Sequence, residues 1–188
     1  SSYRSVSFCF PRLSFCAALA FIMTHFVIKY SKFILKKGTQ FQMQTVQVKK
    51  LKPSAVLPTY GSEFSAGADL YACLDSGVKI PAGETLLIPT GLSMEIPEGF
   101  AGLIYARSGL ASKKGLAPAN KVGVVDADYR GEVMVALHNH SSVDAEILPS
   151  ERIAQLVIAP FLKADFKAVD ELSETVRGAG GFGSTGRK

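Results

Sequence analysis

The chain has 188 residues, 47% of them hydrophobic and 20% charged. That composition fits one ordinary globular domain and excludes a disordered chain. The net charge of +5 does not mark a nucleic-acid binder: six of the 21 Lys and Arg fall in residues 1–42, which hold no acid, and the remainder carries 15 basic against 16 acidic side chains, where duplex binding needs a concentrated basic face.

In chain order, the first segment is residues 1–42, a basic, acid-free extension (Arg4, Arg12, Lys29, Lys32, Lys36, Lys37). Its run from Leu13 to Ile28 is mostly apolar but broken by Ser14, Thr24 and His25, and it is shorter than the ~20 residues that span a bilayer. Three readings stand: a signal-peptide core without a small-residue cleavage site after it, an organelle transit peptide, or residues upstream of a natural start at Met43. Cys9 and Cys16 also lie here, which leaves Cys73 alone in residues 43–188. No disulfide framework or zinc cluster can be built from one cysteine. A reducing compartment is expected, the cytoplasm or an organelle if residues 1–42 are a transit segment, with no stable membrane partner for the body. Cys73 sits among apolar neighbours and is expected in the core.

From Met43 to residue 176 the pattern is one of short strands with frequent punctuation. Leu92, Met94 and Ile96 alternate, as do Val133, Val135 and Leu137, the period of half-buried strands. Leu86 to Ile88, Leu103 to Tyr105, Val122 to Val125 and Ile153 to Ile158 read as strands with both faces covered. Pro and Gly recur at turn spacing from Pro53 to Gly102, and one short helix is expected over Ser108 to Lys113. These signals predict an all-β sandwich or jelly roll. Residues 177–188 form a third segment, with five glycines in positions 178–186. Such a stretch cannot offset its ordering entropy by burial, so a mobile tail is predicted.

Several local patterns compete for a function. Gly181 to Gly186 matches G-x-G-x-x-G, but the chain holds no helix-length segment after it, so the dinucleotide reading fails. His138-Asn139-His140 puts two imidazoles on one side of a strand end, which reads as a solvated end or as a metal pair. Arg107-Ser108-Gly109 follows a strand and opens the helix, where a guanidinium, a hydroxyl and free N–H groups suit a polyphosphate. Asp126 and Asp128 fall between two apolar strands. Two apart in extended chain they point the same way, either as solvated hairpin acids or with one at a strand mouth as a general base. Phe182 stands among glycines that give it no core, which leaves stacking on a ligand ring as its use. Arg177, Ser184 and Thr185 beside it can wrap phosphates.

Taken in order, Ala66 to Ala72, Arg107 to Ala111, Asn120 with Gly123 to Gly131, Glu151 to Leu156 and Arg177 to Gly186 resemble the five motifs of the trimeric dUTPases. The chain departs at Ala106, Ser150 and Ala179, where that family usually has Pro, Gly and Ser. The resemblance implies a homotrimeric jelly roll that hydrolyses dUTP to dUMP and pyrophosphate with Mg²⁺, removing dUTP from the nucleotide pool and supplying dUMP. It implies Asp126 as general base and Tyr129 against the deoxyribose. Asn120 and the following hairpin, Gly123 included, would read the uracil edge. Arg107, Ser108, Gly109 and Gln155 would hold the phosphates, with Asp69 on a metal-bound water. Arg177, Phe182, Gly183, Ser184 and Thr185 would close as a lid. A dCTP deaminase-like enzyme and a non-catalytic nucleotide-binding regulator on the same scaffold are the alternatives.

Overall fold

Alternation of apolar and polar residues determines the architecture seen in the computed structural model, which describes residues 43–181. The strands are β1 (Gln47–Lys50), β2 (Thr59–Tyr60), β3 (Ala68–Tyr71), β4 (Val78–Ile80), β5 (Thr85–Glu95), β6 (Phe100–Tyr105), β7 (Leu116–Pro118), β8 (Gly123–Val125), β9 (Glu132–Asn139), β10 (Ala145–Ile147) and β11 (Arg152–Pro160). One helix, α1 (Ser108–Lys114), separates β6 from β7. Every pairing is antiparallel, in three sheets ordered β1-β5-β9-β7, β10-β4 and β2-β3-β11-β6-β8. In β9 the period is strict: Val133, Val135, Leu137 and Asn139 are buried while their neighbours are half-buried.

The inward residues form one cluster that draws on all three sheets, including Leu70, Ile88, Leu92, Ile104, Leu137, Ile147 and Ile153. Burial of this apolar area is the main driving force, about 1.5–3 kcal/mol for each full-sized side chain. Cys73 is buried in it, as expected, with its Sγ 3.4 Å from the Ser54 hydroxyl. Gly91 has φ +68°, and a Cβ there would come within 2.7 Å of the Cys73 Sγ, so only glycine fits this kink in β5. The pairing of β5 with β9 slips at this point, and the freed Gly91 N–H donates to the Glu132 carboxylate at 2.7 Å.

Two sequence expectations need correction. Leu86, Leu87, Tyr105, Val122 and Val124, read as strand residues with both faces covered, are exposed on this chain, Val124 to 63% and Leu87 to 53%. β8 lies at a sheet edge and the start of β5 runs past the core, so each offers the core only part of its surface. The helix runs one residue further than expected, to Lys114, and ends at Gly115 with φ 67°, whose N–H donates to the Ala111 carbonyl, the usual left-handed stop. Among the described residues regular structure ends at Pro160, close to the Ile158 at which the last expected strand ended. Residues 161–181 have neither helix nor strand and are nearly all exposed, Phe161, Phe166 and Leu172 among them.

Candidate active site

Three neighbouring strands assemble the first cluster. Gln155 of β11 lies opposite Asp69 of β3 on one side and Tyr105 of β6 on the other. Asp69 is buried, and its carboxylate accepts from Arg107 Nε at 2.7 Å, from an Arg152 guanidinium nitrogen at 3.3 Å and from Gln155 Nε2 at 3.4 Å. The acid expected to face a metal-bound water is thus, in the single chain, the anchor of two guanidiniums. A carboxylate has about four lone-pair sites, so one remains for such a water. Loss of all partners would leave a buried charge unpaired, at a cost of about 3–5 kcal/mol. Gly67 keeps the cluster open: a Cβ there would press to 3.1 Å from the Gln155 Cβ.

Arg152 lies within the motif at residues 151–156 but was given no role there, and regular strand geometry would turn it away from Gln155. Residues three apart on a regular strand face opposite sides. The register of β11 against β3 shifts between Arg152 and Ala154, so Ile153 is an extra residue that reverses the phase. The consecutive burial of Ile153 and Ala154 follows from the same bulge. Both Arg152 and Gln155 therefore reach Asp69.

Arg107 itself is extended (φ −84°, ψ 125°) and directly precedes α1. Ser108 and Gly109 are exposed in the first turn, where backbone N–H groups have no intrahelical acceptor, and that turn contains no acid. A Cβ on Gly109 would meet nothing within 4 Å, so packing within the chain does not require glycine there. Its bare backbone leaves that surface open.

A second cluster lies on the loops flanking β8. Asp126 is exposed, and the Tyr129 N–H donates to its carbonyl at 3.2 Å, making residues 126–129 a β-turn. The expectation that Asp126 and Asp128 share a side in extended chain is corrected by that turn. Tyr129 is fixed by its hydroxyl, which donates to the Glu132 carbonyl at 3.0 Å, and by Gly131 beneath it. A Cβ on Gly131 would fall 2.6 Å from the Tyr129 Cζ. Gly131 therefore makes room for the ring; it does not supply a positive φ, since it is absent from the left-handed glycines. Ser93 donates to the Arg130 carbonyl at 2.7 Å and ties this loop to β5. At the other end of β8, Gly123 faces Ile104 in a tight approach (3.2 Å to a built Cβ), with the Asn120 amide 3.3 Å from the same point. Asp126, Asp128, Arg130, Glu95 and Phe161 line an open cleft of about 850 Å³.

The pairing register separates Asp126 from the phosphate-type cluster. Val125 is opposite Gly102, so Asp126 stands beside Ala101, whereas Arg107 lies six residues further on. At about 3.3 Å per residue this is roughly 20 Å. Asn120, by contrast, is at the Arg107 end of β6. Arg177 is exposed, and its Nε donates to the Gly180 carbonyl at 2.8 Å within its own turn. Phe182, Gly183, Ser184 and Thr185 lie outside the described residues, as does most of the G-x-G-x-x-G stretch. Among the described residues no group of three His, Cys, Asp or Glu is placed to hold a metal ion. Mg²⁺ does not need one: it keeps several waters and commonly binds through one or two carboxylates plus substrate phosphates, a role the single Asp69 carboxylate fits. No helix among the described residues is long and apolar enough to cross a membrane.

Residues 53–186 match the family model for dUTPase. The deoxyuridine 5'-triphosphate nucleotidohydrolase of Acinetobacter baumannii is 47% identical over 148 residues, covering 76% of this chain and 99% of the bacterial one. That of Syntrophotalea carbinolica is 47% identical over 142 residues, covering 76% and 97%. Among solved structures, the Staphylococcus bacteriophage 80alpha dUTPase with dUPNHPP is similar at a TM-score of 0.70 and 31% identity, over 77% of this chain and 100% of that one. A mutant dUTPase from phage phi11 of S. aureus, described for the coordination of a structural Mg(II) ion, gives 0.61 and 27%, over 68% and 98%.

Proposed function

The chain belongs to the dUTPase family, and we infer that it is a dUTP diphosphatase, hydrolysing dUTP to dUMP and pyrophosphate. The observation that carries the residue-level reading is the buried Asp69 held by Arg107, Arg152 and Gln155 beside the open backbone of Ser108 and Gly109. Arg107 anchored through Nε keeps its two terminal nitrogens for phosphate oxygens. Ser108, Gly109 and Gln155 complete the grip on the triphosphate. Bound through the phosphates, with Asp69 facing one of its waters, Mg²⁺ would offset part of the triphosphate charge.

Asp126 is the general base. Its carboxylate takes a proton from a water whose oxygen bonds to the α-phosphorus, while the bridging bond to the β-phosphate breaks and pyrophosphate leaves. Asn120 and the backbone near Gly123 read the uracil edge. The Tyr129 ring, pinned over Gly131, is the wall that leaves no room for a 2′-hydroxyl. Arg177, Phe182, Gly183, Ser184 and Thr185 form the lid, Phe182 stacking on the base. The assembly is a homotrimer in which one copy contributes Asp126 and another contributes Arg107. Two facts support this: the ~20 Å between them on one chain, and the uncovered apolar residues Leu87, Tyr105 and Val124. The reaction belongs in the cytoplasm, or in an organelle if residues 1–42 act as a transit segment.

Pyrophosphate release from dUTP tests the activity, and Asp126→Asn tests the base. The variant should bind a non-hydrolysable dUTP analogue nearly as well as the parent and turn over about 10²–10⁴-fold more slowly. Weakened binding with a normal rate would reverse the assignment of Asp126 from base to ligand.

A further inference from the structure

Side chains two apart on a strand stand on the same surface. At the end of β9 this brings the His138 and His140 imidazoles together, with ring centroids 4.3 Å apart and planes at 69°. The residue between them locks their backbone. Asn139 is fully buried, and its Nδ2 donates to the Ile80 and Val143 carbonyls at 2.9 and 2.8 Å. Its Oδ1 accepts from the Ser141 N–H and hydroxyl at 3.0 and 2.7 Å. Its own N–H donates to the Glu84 carbonyl, its carbonyl accepts from Gly83, and the His140 N–H donates to Gly115. An amide with all its groups engaged cannot turn, so the two rings project from a fixed frame.

The His138 ring is also oriented: its Nδ1 lies 2.9 Å from the Thr85 hydroxyl. An imidazole that donates Nδ1–H to such a partner presents Nε2 as a free lone pair, which is how protein histidines are usually set for metal binding. We propose that His138 and His140 form a two-imidazole site for a borderline transition dication (Zn²⁺, Ni²⁺ or Cu²⁺), separate from the phosphate-held Mg²⁺ of the active site. With metal–nitrogen bonds of about 2.0–2.1 Å, two rings on one ion have centroids roughly 4.5–5 Å apart, close to the spacing present. The remaining adjustment falls on His140, which is exposed and whose side chain makes no hydrogen bond among the described residues. Imidazole selects these metals, whereas Mg²⁺ prefers oxygen. The His140 imidazole is held below its ordinary pKa by desolvation first, then by the neighbouring His138 and then by Lys121, and water would fill the other coordination positions, so binding is that of a two-ligand site.

The test is calorimetric titration of the full chain with Ni²⁺ or Zn²⁺ in millimolar Mg²⁺, paired with NMR of the imidazole resonances under trace Cu²⁺. One ion per chain should bind, the His138 and His140 resonances should broaden selectively, and Mg²⁺ should not displace the ion. His138→Ala and His140→Ala should each weaken binding by about 10-fold or more. The exposed His140→Ala should keep full dUTP hydrolysis, showing that it is folded. Unchanged binding in His140→Ala, loss of binding in His25→Ala, or displacement by Mg²⁺ would each overturn the site.

Discussion

Mixing two inactive chains tests whether the catalytic site is shared between copies. Asp126 stands beside Ala101 and Arg107 lies six residues beyond it, about 20 Å away, whereas a general base works within about 3 Å of the proton it takes. On the shared-site proposal, the two on one chain serve different triphosphates. Asp126→Asn should lower turnover about 10²–10⁴-fold. Arg107→Gln should also lose activity, while Arg152 keeps Asp69 paired and the fold intact. In a random 1:1 assembly of the two variants, about a quarter of the sites would draw an intact Arg107 from one copy and an intact Asp126 from another. Specific activity should therefore rise to about a quarter of the parent's, at least tens of times above either variant alone. The assay is pyrophosphate release at saturating dUTP from co-expressed chains, with melting curves as a folding control. A mixture no more active than the average of its two parents would refute the shared site and place Asp126 and Arg107 in separate roles.

Three further outcomes follow from single features. Tyr129→Ala should narrow the preference for dUTP over UTP, read as the ratio of kcat/KM; an unchanged ratio would put the sugar filter elsewhere. Gly131→Ala should do the same more mildly, because its methyl would displace the Tyr129 ring (2.6 Å to Cζ), and a variant as selective as the parent would show that the ring's position is irrelevant. Deletion of residues 177–188 should leave the melting temperature without nucleotide unchanged, since Arg177 bonds only within its own turn among the described residues. The same deletion should cut kcat by orders of magnitude, and a large drop in melting temperature would make the tail a structural arm.

The strands of the core were legible in the sequence wherever one face alone is buried, as in β9, because alternation then has only one meaning. The continuous apolar runs misled at Leu87 and Val124, where an apolar side chain marks a surface to be covered without saying which molecule covers it. The Asp126–Tyr129 turn is the hairpin that one local reading offered, but the two-residue spacing of Asp126 and Asp128 could not place the turn between them. Arg152 was hidden for a different reason. A bulge is a property of two strands in register, so Ile153 reads as an ordinary strand residue until β3 is laid beside it. The roles proposed for Tyr129 and Gln155 came only through the ordered motifs of a known family, whereas a general base at Asp126 was one of two local readings. Their spacing could not say that Asp126 and Arg107 fall at opposite ends of β6.

For the proposed lid, the stretch of residues 161–181, which has neither helix nor strand, would act as a tether. It departs beside Gly99, to whose carbonyl the Phe161 N–H donates, at the Asp126 end of β6. Fifteen residues separate Phe161 from Arg177, a reach of up to about 50 Å when extended, more than twice the ~20 Å between Asp126 and Arg107 on one chain. Closure of the proposed lid would then be an event within one assembly, whose effective concentration, in the millimolar range for short flexible linkers, is set by contour length and not by how much protein is present. Such a leash tolerates lengthening, because the penalty grows only slowly with added residues, and it fails abruptly once it is too short to span the gap.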